Sequence, residues 1–140
     1  MTDGMYTDIA SIIAGFGTAM LFFRIQRELD IGKRNEVNWI PWSDRLLIGA
    51  TLVSLLLVIF PVVAFNNLPG VLANLPAAGC SATSIMVSGY ILGILAHYRL
   101  IFGRNRSGER ENPEPAEKIM VILTAFLAVS VYIFVLFDLF

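Results

Sequence analysis

All ten Lys and Arg residues fall in two patches, one bounded by Arg24 and Arg45, the other by Arg99 and Lys118. Between the patches, residues 46–98 contain no Asp, Glu, Lys or Arg. A water-soluble domain this small cannot leave so long a stretch uncharged and still cover its surface. The stretch is therefore expected in lipid, where a helix satisfies its own backbone polar groups.

Composition agrees with that reading. Of 140 residues, 56% are apolar, against roughly 45–50% in soluble domains. The two patches carry ten positive and eight negative side chains, and Asp3, Asp8 and Asp138 bring the net charge to −1. Basic residues so diluted by acids argue against a nucleic-acid partner. A single cysteine, Cys80, excludes an internal disulfide framework and an all-thiolate zinc site; it is expected to be a small buried residue.

Hydropathy predicts a single all-α membrane domain over residues 1–140, a four-transmembrane-helix bundle of two hairpins. The spans are expected at about 6–23, 46–65, 77–100 and 119–137, with loops at 24–45 and 101–118. The first span lacks the positive flank of a signal peptide and is expected to be retained, with Thr7 and Asp8 capping it. Its helix should continue past the membrane, with Arg24 and Glu28 four residues apart on one face, until Gly32 stops it. The second span should begin on an N-cap at Ser43 and kink near Pro61. The fourth should open around Pro115, with Glu117 complementing the helix dipole.

Four crossings place both basic patches on one side, which predicts cytoplasmic loops and an N-out, C-out topology in a plasma or inner membrane. Trp39 and Trp42 then fall at the cytoplasmic interface as anchors, beside His97 and Arg99 at the end of the third span.

Helix contacts are the most specific signal. Gly89 and Gly93 stand at the small-xxx-small spacing that lets two helix backbones approach closely in lipid, and Ser84 and Ser88 extend a polar, low-relief side of that helix. The first span offers the same spacing, with Gly15 and Ala19 among its pairs. A weak internal echo joins the two hairpins: Phe23-Arg24-Ile25 closes the first span and Tyr98-Arg99-Leu100 the third.

Chemistry is thin by contrast. His97 is the only histidine, and its expected place at the interface lets it reach water as a structural group. No paired acid and base is apparent at depth, and Cys80 lies too far along the same helix to use His97. The sequence predicts no catalytic residue, no metal site and no cofactor. The expected partners are the lipid bilayer and either a second copy or another membrane protein. An accessory or assembly subunit working through helix packing is the leading expectation. A passive oligomeric pore is the alternative, and an enzyme acting on lipid headgroups at the cytoplasmic interface comes third.

Overall fold

The computed structural model describes residues 2–34, 41–65, 68–101 and 114–138. Among them the chain is helical without strands, and four helices are long and apolar enough to cross a membrane. The first, α1, runs Thr2–Arg34. At about 1.5 Å per residue it is ~50 Å long, well beyond a ~30 Å hydrocarbon core, so its charged last third would project from a bilayer. Two expected boundaries fail here. The helix starts before Thr7 and Asp8, leaving Asp8 exposed within it, and it passes through Gly32 to Arg34. A glycine inside a helix costs only about 1 kcal/mol relative to alanine, too little to end it unaided.

Helix α2 spans Asp44–Ala64 in three stretches: α-helix at Asp44–Val53, π-helix at Ser54–Ile59, and α-helix again at Phe60–Ala64. Pro61 explains the middle stretch. It donates no backbone hydrogen bond, and its ring crowds the carbonyl four residues earlier. Widening the preceding turn accommodates it, and the Phe60 N–H accordingly reaches five residues back to the Leu55 carbonyl. The disruption expected at Pro61 thus takes the form of a π-turn.

A short 3₁₀ turn, Gly70–Asn74, leads into α3, Leu75–His97. The last helix, α4, is Pro115–Leu136, with Pro115 at its first turn. The central helix is α3, which packs against each of the other three. Small residues make these approaches possible. A Cβ placed on Gly89 would overlap Thr124 of α4, one on Gly79 would lie 2.7 Å from Val58 of α2, and one on Gly17 of α1 would overlap Thr51. Ala10, Ala14, Ala50, Ala78, Ala82 and Ala128 are buried along the same seams. Toward the basic end the packing thickens into a cluster of Leu46, Leu47, Tyr90 and Val121, with Trp42, Met86 and Ala125 against it.

Candidate functional site

That thickened end also gathers the polar residues. Glu117, in the first turn of α4, is completely buried (0% exposed), as is Ser43, and His97 is 1% exposed. One Glu117 oxygen, Oε1, accepts the Ser43 backbone N–H at 2.9 Å and its hydroxyl at 3.2 Å. The other, Oε2, lies 2.8 Å from His97 Nδ1, so the imidazole donates through that nitrogen to the ionised carboxylate. Three donors from two other elements thus converge on one carboxylate with water excluded, which is how a buried acid is made tolerable.

Local backbone explains how each partner arrives. Ser43 has φ −57° and ψ −24°, a helical geometry rather than the extended one of an N-cap, and its side chain makes no capping bond. The expected cap is therefore not formed, and the hydroxyl serves Glu117 instead. Gly93 admits Ser43: a Cβ on that glycine would sit 2.6 Å from the serine's own Cβ.

Arg99 follows α3 in a left-handed conformation, φ 56°. The Leu100 N–H returns to the Leu95 carbonyl at 2.9 Å and the Arg99 N–H to Ala96 at 3.0 Å. These are the two bonds of a Schellman cap, with arginine where glycine ordinarily stands. A non-glycine residue there costs roughly 1–2 kcal/mol. The side chain it positions donates Nε to Glu114 Oε1 at 2.7 Å, with Glu114 almost fully buried.

Two further ties complete the arrangement. Arg24 of α1 places Nη2 3.4 Å from Asp44 Oδ1 at the start of α2, so it reaches across helices rather than pairing with Glu28 along its own. Arg27 donates to the Tyr98 hydroxyl at 2.9 Å. Burial works against ionising that phenol, but the Arg27 hydrogen bond and charge, with Arg24 behind them, bring its pKa below the ordinary tyrosine value. In both hairpins, then, the arginine after the apolar span of the first helix meets an acid at the start of the second. The local geometry differs, since Arg24 lies within a continuous helix and Arg99 beyond the end of one.

The residues singled out by sequence scatter across this frame. Gly89 and Gly93 lie inside, facing α4 and Ser43. Ser84 and Ser88 stand exposed on α3, their hydroxyls donating to the Cys80 and Ser84 carbonyls. Gly15 and Ala19 face outward from α1, and a Cβ on Gly15 would meet nothing within 4 Å. Trp42 is half-buried, with the Arg45 guanidinium 4.3 Å and Lys118 Nζ 5.3 Å from its ring centroid. Trp39 lies outside the described residues. His97 is not at a water-accessible edge, as its position suggested, but locked against Glu117. The acid–base pair missing from the sequence reading is therefore present, although neither group meets solvent. Cys80 is buried, and among the described residues no group of His, Cys, Asp and Glu is arranged to hold a metal ion. Compared with known proteins, the chain matches no protein-family model, no curated protein and no solved structure.

Proposed function

We propose that this chain is a multi-pass membrane protein acting as an accessory or assembly subunit, docking through the outward small-residue face of α1. The basic end lies in the cytoplasm, by the distribution of Lys and Arg. The observation carrying the reading is that α1 has two small-residue faces and only one is engaged. Ala10, Ala14 and Gly17 are buried against the bundle, whereas Ser11, Gly15 and Ala19, spaced four apart, are exposed. In lipid, small residues at that spacing are what a second helix packs against.

Meanwhile Ser43, His97 and Glu117 are engaged with one another, Arg99 holds Glu114, and Asp44 faces Arg24 at 3.4 Å, although its Oδ1 accepts no hydrogen bond. That arrangement supports a rigid module more than a reaction centre. An enzyme acting on headgroups draws no support from it, since Asp44 and His97 are buried and held. A passive pore made of several copies is the second reading, favoured by the exposed Ser84 and Ser88.

Gly15→Leu tests the proposal. The site has room for the side chain, and leucine suits a helix better than glycine, so the fold should survive while the outward face is filled. In mild detergent the variant should show a lower native mass or lose a stoichiometric protein partner that wild type retains. A wild-type protein that runs as a lone monomer, or a variant with unchanged mass and partner, refutes the accessory reading. A passive liposome conductance altered by Ser88→Val would select the pore instead.

A further inference from the structure

Two exposed cations share one aromatic ring. Arg45 and Lys118 are exposed, and among the described residues neither joins an ion pair. Both instead lie against the Trp42 indole, 4.3 Å and 5.3 Å from its centroid, an attraction that fixes positive charge without neutralising it. They mark the basic end of the crevice between α2 and α4, since Arg45 opens the first helix and Lys118 the second.

Farther along the same crevice the two helices part over α3 and leave an open groove of about 190 Å³. Val53 and Leu57 form one wall, Ala128 and Tyr132 the other, and Ala82 and Met86 the floor. Arg45, Gly49, Val53 and Leu57 follow one another at intervals of four, the spacing of a surface ridge on a helix. Between Arg45 and Val53, Gly49 stands over α3, where an added Cβ would lie 3.4 Å from Met86 Sδ. At about 1.5 Å per residue, Val53 is ~12 Å and Ala128 ~15 Å along the helix from its cation. A single leaflet's hydrocarbon is about 15 Å deep, so cations and groove are separated as a headgroup is from the distal part of its acyl chain.

We propose that the α2–α4 crevice binds one anionic phospholipid, its phosphate between Arg45 and Lys118 and one acyl chain in the apolar groove. The site rests on the membrane reading above. Charge complementarity selects an anionic headgroup over a zwitterionic one, and the apolar lining suits hydrocarbon.

The test uses the full chain in mild detergent, with phosphatidylglycerol or phosphatidylcholine added and bound lipid counted by native mass spectrometry. Wild type should retain one phosphatidylglycerol in preference to phosphatidylcholine. Each basic residue near anionic lipid contributes about fivefold in affinity, so Arg45→Gln with Lys118→Gln should weaken phosphatidylglycerol by about 25-fold and leave phosphatidylcholine unchanged. Val129→Trp, at the groove's half-exposed edge, should reduce retention without touching either cation. Equal retention of the two lipids overturns the site, as does indifference to the double substitution. A co-purifying protein that phosphatidylglycerol cannot displace from the crevice also overturns it. Flotation with phosphatidylcholine vesicles separates the two levels of the argument. A chain that does not float refutes the membrane reading, whereas one that floats but shows no lipid preference refutes the lipid site alone.

Discussion

Replacing Glu117 with alanine tests whether the buried carboxylate holds the basic end together. The substitution strands three donors, the Ser43 N–H, the Ser43 hydroxyl and His97 Nδ1, now 2.8–3.2 Å from an acceptor. Each buried donor left unsatisfied costs about 1–3 kcal/mol, and removing one partner of a buried ion pair typically costs about 3–5 kcal/mol in all. Alanine's better helix propensity returns only a few tenths. A loss of about 3–5 kcal/mol is expected, a large share of a total near 5–15 kcal/mol.

Glu117→Gln is the milder comparison. Its carbonyl still accepts from Ser43, and its amide can donate to His97 Nδ1 once the ring proton moves to Nε2. A loss of about 1–2 kcal/mol is expected, that of one charge-assisted bond exchanged for a neutral one. Unfolding by SDS in mixed micelles, followed by helical circular dichroism, measures both. A double-mutant cycle with His97→Ala isolates the pair, and groups in contact should couple by about 0.5–3 kcal/mol. By the same logic His97→Ala should also lower stability, because its loss uncovers Glu117 Oε2. A Glu117→Ala loss below about 1 kcal/mol, or strict additivity in the cycle, refutes the clamp.

Two other predictions concern packing and orientation. Gly93→Leu drives a branched side chain into Ser43 and should lower stability by about 1–3 kcal/mol or more; Leu55→Ile on the exposed side of α2 should be nearly silent in the same thermal unfolding assay, and equal effects would contradict the close approach. Reporter fusions at Gly70 and Phe140 should report the outside and one at Gly108 the cytoplasm; a cytoplasmic C-terminus would contradict the four-crossing, N-out and C-out arrangement.

Four long helices are legible in the sequence because residues 46–98 lack charge and Pro115 begins a second apolar run. The helix limits are less so, and the reason is the same at each end. Hydropathy excludes polar residues such as Thr2 or Glu117, although a helix that leaves the apolar layer keeps its hydrogen bonds and continues. The left-handed cap at Arg99 carries no sequence signal, because glycine, its usual occupant, is absent. The π-turn is half visible: Pro61 announces a disruption, but not which form it takes.

Assigning Glu117 to a solvated loop conceals the clamp, yet the helical period contains it. Glu117, Val121, Thr124 and Ala128 recur at i, i+4, i+7 and i+11, and all four are buried. His97 follows Gly93, Tyr90 and Gly89 on one helical face, four, seven and eight residues back, and these are also buried. Ser43 precedes the buried series Leu47, Ala50, Ser54 and Val58 at matching steps. Three polar residues therefore each occupy the next inward position at the end of an inward stripe, on three helices whose ends the charge pattern places on one side. Stripes that meet along their apolar length must also meet at their ends. A lone acid and a lone histidine extending two such stripes are a candidate pair even 20 residues apart.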